Sequence, residues 1–508
     1  MAGYKADTDA FVSWLTADAN VKLSQNIEVT HFNTSNEGRG VIAVKDIAEG
    51  EVLFEIPRDS ILNVLTSSLS SDFSDLEETL QSIGSWEGLI LCLLYEWKGK
   101  KEKSKWWKYF NVLPSSNAMN GLMYWNEQEL EHLRPSLVLD RIGKKSAKNM
   151  YHKVLTLVKE SKFPEVLCNV EWEDFVYAAS VIMAYSFDVE NGESQTLNEE
   201  DDDQDEEENT GYIKSMIPLA DTLNSDTHQC NANLMYDDKF LKMYAIKPIK
   251  KGEQVFNIYG NHPNAEILRR YGYVEWSGSA YDFGEVLLGN IEQALLETFS
   301  VPKETLDMCI ETLKKDEIIS DILENEDIVL DSYDCYYDGT VETDCVVLVV
   351  VMSTLLQTPN IAAMDNTTLT MHLRRVVKKC VQLVERGSIS ESCNKVWQKA
   401  VSFRLKDYSN RDFSDPELQS IDFEDKSKLR AQMANVVLKG EVECLSSCFG
   451  SFSKQFKIID DKKLLDNILK RKADTVTNSK NKNKGCKRST EHYINHGGAL
   501  YKLYKKHY

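Results

Sequence analysis

The chain has 508 residues, too many for one ordinary core and enough for two to four domains. Its 42% hydrophobic and 27% charged residues suit a globular protein, and a net charge of −21 argues against wholesale nucleic-acid binding, where phosphates demand a basic face. The charge fits a basic protein partner, and equally an acidic surface that only maintains solubility.

Residues 1–30 read as a helix through Phe11, Val12, Trp14 and Leu15, leading into an extended segment. Two strands are expected next, over Val41–Val44 and Glu51–Pro57, because β-branched and apolar residues stand between glycine turns. Val44-Lys45-Asp46-Ile47-Ala48-Glu49-Gly50-Glu51-Val52-Leu53-Phe54 is echoed by Ile246-Lys247-Pro248-Ile249-Lys250-Lys251-Gly252-Glu253-Gln254-Val255-Phe256. Two similar strand–turn–strand pieces far apart in the chain imply one β-fold interrupted by an insertion. The insertion reads as helical. Ser85–Leu89 opens a run through Leu91, Leu94 and Tyr95 at 3–4 spacing, the aromatic stretch Lys105–Phe110 follows, and two helices are expected over residues 125–165. Another runs from Trp172 to Phe187. Glu199–Glu208 holds nine acids and Gln204, a block that reads as a solvated loop or as an attractor of basic substrates. After a strand near Tyr281–Leu288, helices are expected over Ile291–Phe299, Thr305–Leu313, Cys345–Leu356, Thr367–Glu385, Lys395–Arg404, Lys426–Leu438 and Lys462–Arg471. Lys480–Arg488 is basic and polar, a flexible loop or a nuclear-import signal.

Eleven cysteines are scattered with no CxxC pair, so zinc spacing is absent and no metal site is expected. With no apolar leader over residues 1–11, the thiols are expected to be reduced, in a nuclear or cytoplasmic protein. The apolar stretch Val346–Leu356 is far short of the roughly 20 residues that span a bilayer, so no membrane role is expected.

Four segments carry chemistry. Gly38 and Gly40 in Glu37-Gly38-Arg39-Gly40 let the backbone approach a ligand closely. Leu219–Asp226 places Asn224, with both donors and an acceptor, where a zwitterion can be bound. Gln254–Gly260 ends a strand on Tyr259. In the fourth, Asn264 is expected to cap a helix through Ile267, Leu268 and Tyr271, with Gly272 just past its end and Tyr273 following. Each is weak alone.

In this order the four segments resemble the SET domain, a β-rich fold of lysine methyltransferases. The helical insertion and helical C-terminal region resemble its plant Rubisco large-subunit methyltransferase branch. Ala220–Asn224 with Asn231–Leu234, and Tyr271–Glu275, resemble the ribosomal protein lysine methyltransferase group of yeasts; SET domain-containing protein 6 of animals looks similar. The resemblance implies an α+β protein. A β-rich SET catalytic domain spans residues 1–276, with a helical insertion at about 71–175 and an acidic loop at about 190–210. An all-α substrate-binding domain spans 277–508, with a basic loop at 478–490.

The resemblance implies S-adenosyl-L-methionine as cofactor, held by Glu37, Gly38, Arg39, Gly40, Tyr185, Asn224, Ser225, Tyr259, Tyr271 and Tyr273. It assigns catalysis to Tyr259 and Tyr271, and substrate contacts to Trp86, Ser186, Asp221 and Tyr236. Ser225 departs from the family's usual His. The implied substrate is a lysine of a basic protein, on this resemblance a large-subunit ribosomal protein, with monomethylation favoured. A histone or a transcription regulator is the alternative substrate. A SET-like scaffold without catalysis is a further reading, favoured by Ser225 and opposed by Tyr259 and Tyr271. A monomer with nuclear localisation is expected, the cytoplasm being the alternative.

Such chemistry suits these residue types. A lysine with pKa about 10.4 must lose its proton before it can attack a sulfonium methyl, and a narrow apolar channel lowers that pKa. Tyrosine faces favour cations, and their hydroxyls orient the amine.

Overall fold

The computed structural model describes residues 2–32, 38–190, 211–411, 413, 423 and 425–469. Glu37, the acidic run 199–208 and the basic run 480–488 lie outside the described residues. The chain forms two compact units, Met1–Asp282 with Phe413–Leu438, and Phe283–Asp412 with Lys439–Tyr508.

The first unit is organised by the sequence echo. Strand Gly38–Ala43 pairs antiparallel with Gln254–Asn257, and Val52–Pro57 pairs antiparallel with Phe240–Ala245, so each strand–turn–strand piece gives one strand to each of two sheets. The turns meet at Ile47 and Ile249. Gly50 N donates to Ala245 O at 2.8 Å, and Gly252 N donates to Ala43 O at 2.7 Å, so the pieces answer each other about a local two-fold axis. Both glycines have positive φ, 81° and 92°, which an L side chain rarely adopts. The first sheet runs in the order Lys22–Leu23, Val52–Pro57, Phe240–Ala245, Ala232–Tyr236. The second runs Ile27–Phe32, Gly38–Ala43, Gln254–Asn257, Asn224–Ser225, and its last pair is parallel. Their inward residues, among them Val41, Leu53, Phe54, Leu241, Met243 and Val255, are buried together.

The insertion is helical but less regular than its periodicity suggests. Ser85–Leu94 is a buried helix that continues as a π-helix over Tyr95–Lys100. Instead of two helices over residues 125–165 there is a single turn at Glu127–Leu130, 3-10 turns at Glu131–Leu133 and Leu137–Arg141, and one long helix at Lys144–Glu160. Pro135 has no N–H to continue a helix, and Gly143, with φ 79°, starts a new one. The helix expected over Trp172–Phe187 stops at Tyr185, because Ser186–Glu190 pairs with Tyr212–Met216 as a hairpin. Asn264 begins its helix rather than capping it. Its side chain instead exchanges hydrogen bonds with the Glu275 backbone, at 2.7 and 2.9 Å. Residues 413–438, expected in the second domain, group with the first unit. There Arg430 pairs with buried Glu129 at 2.6 Å and donates to Asn120 at 2.9 Å.

In the second unit, helices run over Leu288–Phe299, Lys303–Lys315, Thr343–Leu355, Asn366–Glu385 and Glu391–Asp407, each near its expected place. Thr343–Leu355 is buried all round from Cys345 onward, as an evenly apolar helix must be. A short helix, Glu317–Ile322, was not expected. The unit also carries two small sheets, Phe283–Leu287 with Ser332–Tyr336 and Ser388–Ser390 with Lys457–Ile459. No helix among the described residues is long and apolar enough to cross a membrane.

Candidate active site

The parallel pairing of Asn224–Ser225 with Phe256–Asn257 brings two of the four motif segments side by side. Gly40 on the neighbouring strand supplies the third. A Cβ there would lie 2.7 Å from Asn224 Nδ2 and 2.6 Å from Gln254 Oε1, so only glycine lets these strands close. Asn224 Nδ2 donates to Gln254 Oε1 at 2.7 Å, which leaves Asn224 Oδ1 without a donor among the described residues. Gly38 has φ 72° and open space around a Cβ, save the Tyr4 hydroxyl at 3.9 Å.

The Arg39 side chain is committed to the protein. It donates to Thr8 Oγ1 at 2.9 Å and Val112 O at 2.7 Å, and it lies 3.7 Å over the Tyr4 ring. What the Gly38–Gly40 segment leaves for a ligand is therefore its backbone.

Tyr259, Tyr271 and Tyr273 form one aromatic cluster, with centroids 4.9, 6.4 and 6.5 Å apart. The Tyr259 hydroxyl donates to Leu223 O at 2.6 Å, its N–H donates to Ser225 Oγ at 3.3 Å, and the Tyr271 hydroxyl donates to Tyr259 O at 3.2 Å. Ser225 thus holds the backbone of Tyr259, a task that needs an oxygen and no imidazole. The Tyr273 hydroxyl is buried and faces Ser225, without a well-aligned hydrogen bond. Burial pushes the pKa of all three hydroxyls above the usual tyrosine range. Gly272 separates Tyr271 from Tyr273 at φ 79°, where a Cβ would meet Gly121 N at 2.6 Å. Glu275 accepts from the N–H and hydroxyl of Thr227, which ties the end of this segment to the loop after Ser225.

Asp221 lies on the 3-10 turn Ala220–Thr222 and is 7% exposed. It accepts a short hydrogen bond from the buried Tyr109 hydroxyl. Burial pushes its carboxyl up to about 7, against that bond and nearby backbone N–H groups, which lower it. Tyr185, last in its helix, and Tyr259 both feel the Asp221 charge.

The remaining residues picked from the sequence gather at the hairpin Ser186–Glu190/Tyr212–Met216. Ser186 begins it. Trp86 has Lys214 Nζ 5.1 Å over its ring, and Lys214 pairs with Asp188 at 2.7 Å. Tyr236 faces Glu190, Tyr212 and Arg58. The contacts of Trp86 and Tyr236 are thus with this hairpin, while Tyr185 and Asp221 neighbour the tyrosine cluster.

Sequence reasoning missed Tyr4 and Tyr109. Tyr109 stands in the aromatic run Trp106–Phe110, where nothing local says which ring faces a carboxylate far along the chain. Tyr4 falls in the first helix, Ala2–Ala17, where no local pattern ties its ring to Arg39.

The SET domain family matches residues 38–260. Over 485 residues the chain is 45% identical to Ribosomal lysine N-methyltransferase 4 of Saccharomyces cerevisiae, a match covering 93% of this chain and 97% of that protein. It is 29% identical over 304 residues to N-lysine methyltransferase setd6 of Xenopus laevis, covering 59% of this chain and 64% of that one. Among solved structures, Rubisco LSMT bound to AdoMet aligns with a TM-score of 0.59 at 18% identity, over 92% of this chain and 97% of that chain. At this identity the likeness concerns the fold.

Proposed function

The chain belongs to the SET-domain family of S-adenosylmethionine-dependent protein-lysine N-methyltransferases, and from that premise we propose that its substrate is a lysine of a large-subunit ribosomal protein. The observation that carries this reading is the 45% identity, along nearly the whole chain, to a yeast enzyme named for ribosomal lysine methylation. The net charge of −21 is compatible with a basic substrate.

The site fits the cofactor on its own evidence. The unengaged Asn224 Oδ1, the buried Tyr273 hydroxyl beside Ser225 and the free space at Gly38 leave polar atoms and room for a ligand. On this reading Gly38, Arg39 and Gly40 hold the cofactor through their backbone, with Asn224, Ser225, Tyr185 and Tyr273 around it. When bound, S-adenosylmethionine supplies an electrophilic methyl on a positive sulfonium.

The protein's own part is to present a neutral amine. Freeing a lysine of its proton at pH 7 costs about 4–5 kcal/mol, since its pKa lies roughly 3.4 above that pH at 1.36 kcal/mol each. The packed rings of Tyr259, Tyr271 and Tyr273 exclude water and favour cations by their faces. Tyr259, pinned through Leu223 and Ser225, orients the amine, and Tyr271 narrows the approach. So crowded a channel favours monomethylation. Trp86, Ser186 and Tyr236 mark the substrate side along the hairpin, and Asp221 is the fourth substrate contact on this reading. We further place the enzyme in the nucleus as a monomer, the first on the basic run Lys480–Arg488.

Radiolabelled methyl transfer into an extract of cells lacking the gene tests the substrate. A labelled large-subunit ribosomal protein with monomethyl-lysine is expected. Label in a histone or a transcription regulator would sink the ribosomal reading.

A further inference from the structure

The peptide that joins Tyr271 to Tyr273 is held from outside the motif that carries them. Helix Asn264–Tyr271 ends at Gly272, whose left-handed backbone, φ 79°, leaves its carbonyl outside the helix's own hydrogen bonds. That carbonyl accepts from Asn120 Nδ2 at 3.1 Å. The two backbones touch glycine to glycine. A Cβ at Gly272 would lie 2.7 Å from the Asn120 carbonyl carbon, and one at Gly121 would lie 3.0 Å from Arg269 O. Asn120 is itself gripped from two sides. Its carbonyl accepts from Trp125 Nε1 at 2.8 Å, and its Oδ1 accepts from Arg430 Nε at 2.9 Å. Arg430 is only 5% exposed. It pairs with Glu129 at 2.6 Å, and its guanidinium lies 5.5 Å from the centre of the Trp125 ring. Lys426, one turn earlier on the same helix, donates to Asn117 O and Met119 O, both at 3.1 Å. Leu122, Trp125, Leu268, Val274, Leu429 and Met433 are buried together around these contacts. A loop of the insertion, the motif helix and a helix 310 residues beyond that loop thus meet at Asn120.

We propose that Asn120 and Arg430 are positioning residues for methyl transfer: Asn120 fixes the Gly272–Tyr273 peptide, and Arg430 fixes Asn120. The inference rests on the lysine methyltransferase reading and adds to it two residues that act only through Gly272. A peptide is planar, so a hydrogen bond to Gly272 O orients the whole plane that leads into Tyr273, one bond away from Tyr271. Asparagine suits this place because one short side chain donates to a carbonyl and accepts from a guanidinium. Arginine suits the next place because its rigid fork reaches Asn120 through Nε and Glu129 through a terminal nitrogen at the same time. A lysine ammonium, a point charge on a flexible stem, does not reproduce that geometry. Misplacement on the order of 1 Å at a reacting centre costs up to about 100-fold in rate. A hydrogen bond that holds two of the three clustered rings is therefore read most directly in the rate.

The test is initial methyl transfer by the full-length enzyme, with saturating radiolabelled S-adenosylmethionine and extract from cells lacking the gene, well below the thermal midpoint of every variant. Asn120→Ala loses both side-chain bonds and should slow transfer about tenfold. Asn120→Asp keeps the size and the acceptor for Arg430 but sets an oxygen against Gly272 O, and the same loss of about tenfold is expected. Arg430→Lys should slow transfer less, by about threefold. The double variant Asn120→Ala/Arg430→Lys should be no slower than Asn120→Ala, because Arg430 acts through Asn120. Val437→Ala is the control. Val437 is an apolar side chain buried in the same cluster, two turns along the helix from Arg430, so alanine leaves a cavity and lowers the midpoint but should leave the rate at the wild-type value. Asn120 variants with the wild-type rate, or a Val437→Ala enzyme as slow as Asn120→Ala, would reduce Asn120 to packing and overturn the proposal. A double variant slowed by the product of the two single losses would overturn the action of Arg430 through Asn120. If the wild type labels no protein at all, the methyltransferase reading falls, and this inference with it; an active wild type matched by its Asn120 variants overturns the positioning role alone.

Discussion

Ile47 and Ile249 exchange both of their main-chain hydrogen bonds, at 2.8 and 3.0 Å, across two turns that belong to opposite ends of the catalytic unit. Around them the turns are built alike. Glu51 Oε2 accepts from Ala48 N at 3.3 Å, as Glu253 Oε2 accepts from Lys250 N at 2.7 Å. This junction brings strand Gly38–Ala43 against Gln254–Asn257 and so sets the Gly38–Gly40 segment beside the strand that leads to Tyr259.

The turns can be tested through their glycines. A Cβ at Gly50 or Gly252 meets nothing within 4 Å, so alanine costs only the left-handed backbone. Each Gly→Ala change should destabilise the unit by about 1–2 kcal/mol, read as a fall in its thermal midpoint, with methyl transfer at low temperature unchanged. Midpoints equal to wild type would show that these turns do not hold the sheets.

Gly40→Ala makes a different demand. Its Cβ would lie 2.6–2.7 Å from Gln254 Oε1, Asn224 Nδ2 and Phe32 Cε2, and the Asn224–Gln254 hydrogen bond cannot survive that. The dissociation constant for S-adenosylmethionine should rise at least tenfold, about 1.4 kcal/mol, by calorimetry. A value within twofold of wild type removes this strand from the cofactor site.

What the sequence exposes here follows from its spacing. The paired Ile-x-x-Gly-Glu turns are legible because two glycines and two glutamates repeat at fixed offsets, and those offsets are the contacts. Tyr271, Gly272 and Tyr273 are legible for the same reason, since one glycine sets both rings. The Tyr109–Asp221 hydrogen bond is not. It joins a four-residue helix to a 3-10 turn, and neither is long enough to show a face. The π-helix at Tyr95–Lys100 is hidden likewise, because its wider winding leaves no 3.6-residue period.

Tyr259→Phe keeps the ring and removes the donor to Leu223 O. The carbonyl then loses its partner, at about 1–3 kcal/mol where no water replaces it, and the ring is freed to shift. Misplacement on the order of 1 Å costs up to about 100-fold, so kcat should fall roughly 10- to 100-fold while cofactor affinity changes little. A wild-type kcat would deny Tyr259 any part in orienting the amine.

Asp221 makes stability depend on pH in a direction opposite to that of most carboxylates. Its folded value, about 7, stands above the ordinary 3.8, so between the two the folded protein holds a proton that the unfolded chain has released. The stability this supplies is complete below about pH 4 and is lost as pH rises through about 7. Asp221→Asn resembles the protonated acid in shape, still accepts from Tyr109, and does not titrate. Compared with wild type it should therefore gain stability from pH 5 to pH 8, by about 2–3 kcal/mol at 1.36 kcal/mol per pH unit. Thermal midpoints of both proteins at the two pH values measure it. A difference in midpoint that stays constant from pH 5 to pH 8 would mean that Asp221 titrates as an ordinary carboxylate.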